Sequence, residues 1–472
     1  MKKNNLYYIA IFFSMLLTVS CEDELELISE DDLSPEQALS TPGSIEGLVL
    51  GLYSEAQTAD VLNGTPQTMT EWQADNSEFK GSFPTFNEFQ NYTPLSTNTS
   101  VGAIWIENVN IIEASNFIIN RLPEVDLVDL DDDTRNQFIG EARFMRALIL
   151  FNLSKYFGQP FQYEKGESPS VPVILEDFQG DETPFDQPRN TLNEVYAQIE
   201  DDLEFARENL PESYSSNADT RGRATYGAAT ALLARMELYR ENDEEAAELA
   251  DEVIADSNYE LADGFDFYDG LTSEDIFSII NSAIDPQTGN ESYAGLTNPT
   301  PEGRGDAPFS ESLVDAYMEE EGDLRFSELT QEGEDAEGSD SYFTTKFDDG
   351  VNNSDNAPII RVTEMYLIRA EANLKAGTSI GATPLEDINL LRNRAGLDDL
   401  DAVDIDDILR ERRKELAFEE GHRRMDLLRN GKSLREGLDD EENANVGDPF
   451  VIFPIPQREI DNSSELEQNP GY

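Results

Sequence analysis

Cysteine occurs once in these 472 residues, histidine once and tryptophan twice. A lone cysteine, Cys21, excludes an intramolecular disulfide and any metal site built on paired thiolates. A lone histidine, His422, removes His-rich metal centres and leaves a Ser-His-Asp triad a single residue to use. Cations are scarce too: 33 Lys and Arg stand against 98 Asp and Glu, a formal net charge of −65. A field of that sign repels nucleic-acid phosphates and anionic lipid, so neither is expected as a partner. No apolar run after Val19 reaches the roughly 20 residues needed to cross a bilayer. What is present suffices for a core, with 38% hydrophobic and 9% aromatic residues. That profile separates the chain from acidic disordered sequences.

The position of the cysteine is informative. Met1-Lys2-Lys3 leads into an apolar stretch from Leu6 to Val19, then Ser20. A basic segment, an apolar segment and a small residue form an export signal. A signal ending on a single cysteine resembles that of bacterial lipoproteins, although Thr18 stands where a leucine is usual. Cleavage between Ser20 and Cys21 would leave Cys21 as the lipidated first residue, and the chain would be exported and held by acyl chains. Loss of Lys2 and Lys3 takes the formal charge to −67. The acids are spread along the chain, in loops such as 126–133, 331–340 and 439–442, and read as a solvated surface. Asp131-Asp132-Asp133 and Asp348-Asp349 are read the same way. Ca²⁺ could be held by such oxygen ligands, but no twelve-residue calcium loop accompanies them, and no cofactor is expected.

Helical periodicity dominates. Leu192, Val195, Ile199, Leu203, Ala206 and Leu210 recur every three or four residues, and Thr191 with Glu194 forms a capping box at the start. Further helices are expected over about 136–156, 223–240, 244–256, 361–376, 384–395 and 405–429. The strand signal is slight, at Val171–Leu175, Ile276–Ile280 and Val451–Ile455. Leu233-Ala234, Ala246, Ala250 and Val253 have the small and apolar spacing of a tetratricopeptide (TPR) helix pair, in which small residues let two antiparallel helices nest. Loop-rich insertions occupy 60–100, 157–190, 262–360 and 431–450. Long loops on a helical scaffold commonly carry function.

A series of short motifs resembles one family in order. They are Gly140-Glu-Ala-Arg-Phe-Met-Arg-Ala147, Gly222-Arg-Ala-Thr225 running into Ala231-Leu-Leu-Ala-Arg235, Arg369-Ala-Glu-Ala372 and Arg392-Asn-Arg-Ala-Gly-Leu397. Arg412-Arg-Lys-Glu-Leu-Ala-Phe-Glu419 leads into Gly421-His-Arg-Arg-Met-Asp-Leu427. The chain closes with Phe453-Pro-Ile-Pro-Gln-Arg-Glu-Ile460 and Gln468-Asn-Pro-Gly-Tyr472. Together they resemble the SusD/RagB lipoproteins of Bacteroidetes, from the lipoprotein cysteine to the last residue. The resemblance implies a mostly α, single SusD-like fold of TPR-like helix pairs, long ligand-binding loops and few short strands. In this division 1–20 is the lipoprotein signal, 21–230 the N-terminal part and 231–472 the C-terminal part, the last two forming one globular unit. It further implies a cell-surface lipoprotein on the outer membrane. Such a protein delivers a glycan, or in some members a peptide, to a SusC-like TonB-dependent transporter barrel and catalyses nothing. A TPR-type scaffold lipoprotein that binds proteins is the alternative reading. An exported glycoside hydrolase is a third, needing two carboxylates about 5–10 Å apart that nothing in the sequence marks.

Candidate ligand residues come from the loops. Flat aromatic faces stack on the apolar faces of sugar rings, while Asp and Asn bond hydroxyls. Trp72, Asp75, Asn76, Phe83, Phe86 and Tyr92 offer both; the competing reading folds these aromatics onto the scaffold. Tyr293 and Phe309 lie in the stretch that borders the ligand in the resembled family. Trp105, in an apolar-periodic segment, is expected in the core. His422 is expected to be a structural, hydrogen-bonded histidine. Arg143, Arg146, Arg235, Arg369, Arg392 and Arg423 are expected to partner carboxylates and helix C-termini.

Overall fold

The computed structural model describes residues 34–180, 186–286, 291–436 and 443–472. The signal segment 1–20, Cys21, the acidic stretch Glu22–Asp32 and the acids 439–442 lie outside the described residues. The fold is mostly α. Its first half carries α1 (Pro42–Ala56), α2 (Thr65–Gln73), α3 (Pro84–Gln90), α4 (Thr99–Arg121), α5 (Asp132–Phe157), α6 (Leu192–Asn209), α7 (Tyr226–Tyr239) and α8 (Asp243–Ala255). Then come β1 (Asp275–Ile279), α9 (Glu311–Met318), β2 (Thr330–Glu334), β3 (Asp340–Thr344) and β4 (Ala357–Arg361). The last are α10 (Val362–Ala376), α11 (Pro384–Arg394), α12 (Ile405–Leu416), α13 (His422–Arg429) and α14 (Gln457–Asn462). Among the described residues no helix is long and apolar enough to cross a membrane.

Sequential helices pack as pairs: α4 on α5, α5 on α6, α7 on α6 and α8, and α8 on α10. The ends of α6 follow its residues. Glu194 N–H donates to Thr191 Oγ1 at 3.2 Å and Thr191 N–H to Glu194 Oε2 at 2.9 Å, so the capping box is reciprocal. From Phe138 to Phe157, α5 is buried on nearly every side, its charged residues Glu141, Arg146 and Lys155 included. Small residues bring α7 and α8 together: Ala228, Ala231, Ala234, Ala246 and Ala250 are all fully buried. At Gly227 a Cβ would come within 2.4 Å of the Tyr259 ring, so no larger residue fits there. The main apolar cluster runs from Ile45 to Ile455.

Three expectations need correction. The helix expected over 405–429 is two helices, α12 and α13. Between them Phe418, Glu420 and Gly421 adopt φ of 65°, 47° and 66°, in the left-handed region. The break turns Glu419 toward Arg361 and Glu420 toward Lys155, which a continuous helix could not do. The strands expected at Val171–Leu175 and Val451–Ile455 form no ladder. Their backbone groups are met by side chains and helix ends instead: Val173 N–H donates to Asn190 Oδ1, and Phe453 N–H to the Tyr156 carbonyl at 2.7 Å. The 60–100 and 262–360 stretches are not plain loops. The first contains α2 and α3, and the second contains α9 and the β2–β3 hairpin. The strand expected near 276–280 is present as β1, antiparallel to β4.

Candidate ligand-binding face

Two segments far apart in sequence, 74–83 and 291–310, meet on one face. An isolated bridge pairs Ser77 with Phe309. Ser77 Oγ donates to the Pro308 carbonyl at 2.7 Å, and Lys80 N–H to the Asp306 carbonyl at 3.0 Å. Ser310 ties the other end, donating its N–H to the Asn76 carbonyl at 2.9 Å and its hydroxyl to the Asp75 carbonyl at 2.6 Å. Gly81 lies against Asp306 so closely that a Cβ would meet its Oδ1 at 2.4 Å.

Most of the aromatics named from sequence point inward, and their expected role as exposed platforms is corrected. Trp72 has no exposed surface; Phe79 and Phe86 cover it at ring distances of 4.9 and 5.1 Å. Phe86 and Tyr92 are buried too, the Tyr92 hydroxyl donating to the Gln73 carbonyl. Tyr293 is buried and stacks on Phe347 at 4.1 Å, and Phe309 packs on Phe418 at 5.2 Å. Asn76 is a joint: its amide donates to Glu71 Oε2 at 2.7 Å and its oxygen accepts from Arg413 at 2.8 Å. Asp75 is held by Arg423 through bonds of 2.6 and 2.7 Å. Burial opposes ionisation of Asp75, but the Arg423 and Arg413 guanidinium groups keep its carboxyl below the usual value.

Phe83 is the exception, 39% exposed. Its ring rests on Phe86 at 5.7 Å, and the Arg304 guanidinium lies over it at 4.3 Å. Arg304 contacts Asp306 at 2.6 Å, and its Nη1 is buried with no hydrogen-bond partner. Phe83 therefore presents an apolar ring at the surface, with the partly exposed Arg304 guanidinium over it and the buried Asp306 holding that guanidinium in place. Sequence reasoning missed Arg304, although a signal was there. It is the only Lys or Arg between Arg240 and Arg325, and it sits in a Gly303-Arg-Gly305 turn.

Residues 338–472 match the model of the SusD family, and residues 25–238 match a SusD-like model described as starch-binding associating with outer membrane. The chain belongs to the SusD family. SusD-like protein P2 of Formosa agariphila is 26% identical over all of both chains. A SusD superfamily protein of Bacteroides vulgatus has 27% identity and a TM-score of 0.80, covering 92% of this chain and 99% of its own. A laminarin-binding SusD-like protein has 26% identity and a TM-score of 0.75, covering 91% and 99%.

In this SusD-family chain the arginines named from sequence are spent internally. Arg146 grips Asp202 at 2.8 and 2.6 Å, Arg235 grips Glu364 at 2.7 and 2.5 Å, and Arg369 grips Asp387 at 2.9 and 2.6 Å. Arg392 joins Glu411 and Glu320, and Arg143 joins Asp201. His422 is buried, but the expected hydrogen bond is missing. Its Nδ1 has no partner, and Nε2 is 4.0 Å from Glu364. Burial, with Arg235, Arg412 and Lys155 nearby, pushes its pKa well below 6.5, so the ring is neutral. Asp131 caps α5, accepting from Thr134 N–H at 2.7 Å. The described residues contain no cluster of three or more His, Cys, Asp or Glu placed to hold a metal.

Glu71, beneath Asn76, makes a pH dependence readable. Burial raises its carboxyl to about 7, against the opposing Asn76 bond. Between the unfolded value near 4.3 and 7, the folded state holds a proton that the unfolded state has lost. The group therefore lowers stability as pH rises through that window, by roughly 4 kcal/mol in full and by roughly 2.5 kcal/mol between pH 5 and pH 8. Denaturant unfolding at pH 5 and pH 8 should show wild type losing this amount and Glu71→Gln keeping it. The same decline in both proteins would remove Glu71 as its source.

Proposed function

We propose that this protein is a cell-surface lipoprotein of the outer membrane that binds glycan at the 74–83/291–310 face and passes it to a SusC-like TonB-dependent transporter barrel. The observation that carries the reading is the half-exposed Phe83 beside Arg304 and Asp306, in a chain whose family model is described as starch-binding. The laminarin-binding relative points to the same ligand class. The protein performs no reaction in this account; it captures, tethers and hands over. Affinity electrophoresis in gels containing laminarin, starch or other polysaccharides tests the ligand class. Retardation by at least one glycan is expected. Retention of peptides and of no glycan would move the ligand class to peptides, and release of reducing sugar would contradict a purely binding role.

The anchor is Cys21. Cys21→Ser should release the protein from the membrane fraction while leaving glycan retardation intact. Membrane attachment that survives the substitution would contradict the anchor. Purification of the lipidated protein should carry a large β-barrel with it, and its consistent absence would favour the protein-scaffold alternative.

A further inference from the structure

The molecule has a second concave site that shares no residue with the loop face. It is a cleft of ≈ 490 Å³ between α4 and the C-terminal segment. Its floor is Trp105, Val109 and Ile112 of α4 with Leu153 of α5, and one wall is Val171–Ile174. A volume of this size with an apolar floor and a few polar groups is the ordinary character of a ligand site.

The walls are stapled in place. Buried Asn116 donates to the Ile174 and Glu176 carbonyls at 2.9 and 3.1 Å and accepts from Arg146 at 2.7 Å. Asn120 donates to the Leu175 carbonyl at 2.9 Å, and Arg121 bonds Asp177 at 2.7 Å. Opposite, Asp186 accepts from the Ser463 and Ser464 hydroxyls at 2.5 and 2.6 Å. Both walls are therefore set before any ligand arrives, which limits the ordering cost of binding.

Three features define what fits. Trp105 is 6% exposed, and its indole N–H has no acceptor among the described residues. That N–H is open to solvent, so a ligand that brings an acceptor can take the place of water on it. Second, the polar lining is of one sign: Glu113, Asp186 and Glu459 stand in the cleft, and among the described residues no Lys or Arg lines it. Glu113 uses one oxygen on Phe178 N–H at 3.1 Å, and among the described residues the Glu459 carboxylate forms no ion pair or hydrogen bond. Third, the floor is apolar, with Leu175 and Phe178 exposed beside it at 40% and 52%.

We propose that this cleft binds a short peptide segment in which an apolar residue adjoins a lysine or arginine. The apolar side chain covers Trp105, Val109 and Ile112, a peptide carbonyl accepts from the indole N–H, and the cation meets Glu113 and Glu459. A sugar ring satisfies the first two demands but supplies no charge. An anionic peptide meets only repulsion.

With two tryptophans in the chain, incorporation of 5-fluorotryptophan gives two ¹⁹F resonances, assigned by Trp105→Phe. Acetyl-Phe-Lys-amide should shift the Trp105 line saturably, with a Kd in about the millimolar range, and leave Trp72 in place. Acetyl-Phe-Glu-amide should bind at least about fivefold more weakly, and Glu113→Gln/Glu459→Gln should erase that difference. Phe83→Ala should leave the titration unchanged, so this proposal stands or falls apart from the glycan site. Equal response to both peptides, no response to either, or a shift produced by a laminarin oligosaccharide instead would overturn it.

Discussion

Replacing Arg361 with methionine is expected to cost about 3–5 kcal/mol of folding stability, because it strips a buried charge network of its centre. Arg361 ends β4 with its side chain 2% exposed. It donates to Glu419 at 2.6 and 3.1 Å, to Glu274 at 3.2 Å and to the Glu415 carbonyl at 2.9 Å. Around it, Lys346 bonds Glu419 at 2.5 Å, Arg394 bonds Glu415 at 2.8 Å, and Arg325 bonds Glu411 at 2.8 Å and Glu415 at 3.1 Å. The network fixes the left-handed turn between α12 and α13 that a helix-forming sequence would not otherwise take. Methionine fills the volume but leaves Glu419 and Glu274 short of cations. Guanidinium unfolding at pH 7 measures the loss. Acid adds a second readout. Burial opposes ionisation of Glu419, but Arg361 and Lys346 hold its carboxyl down at about 2. A depressed carboxyl stabilises fully above its unfolded value near 4.3, and that share is lost as pH falls toward 2. Without Arg361 the Glu419 value rises, so the acid transition should move to higher pH. An unchanged midpoint in both experiments would show that the network contributes nothing net.

Trp72→Ala is the other large effect, expected to destabilise by about 3–5 kcal/mol as a large-to-small change in a sealed core. The indole is wholly buried, with Phe79 at 4.9 Å and Phe86 at 5.1 Å. Phe86 in turn supports Phe83, so the loss propagates to the loop face. The order of events is diagnostic: stability falls first, and glycan affinity falls with it. A variant that melts like wild type but no longer binds glycan would return Trp72 to the ligand and contradict the buried placement.

That reversal shows where the sequence was readable. The periodic positions of α5 to α8 and the Thr191–Glu194 box needed only local physics, and the structure follows them closely. The arginine motifs were read correctly as internal partners, since so few cations among so many acids are drawn to buried carboxylates such as Glu364 and Asp202. The candidate face was legible as a pair of loops but not as a surface. Aromatic-rich loops can stack outward or pack inward with the same composition, and contacts across more than 200 residues, such as Ser77 to Phe309, decide between the two. The break at Phe418–Gly421 was invisible for the same reason. Its left-handed residues are held by Arg361, Lys346 and Lys155 from distant elements.

The account rests on the loop face being where ligand is held. Isothermal titration calorimetry of wild type, Phe83→Ala and Arg304→Ala, using the glycan that retards the protein in affinity gels, tests this directly. Phe83 is half-exposed, so Phe83→Ala should shift the melting temperature little, whereas Arg304→Ala leaves the buried Asp306 without its cation and should lower it, so its titration is read well below its melting temperature. Each should weaken binding by about tenfold, the equivalent of roughly 1.4 kcal/mol of lost stacking or hydrogen bonding. Wild-type affinity in both variants, with binding intact, would place the ligand elsewhere and contradict the account.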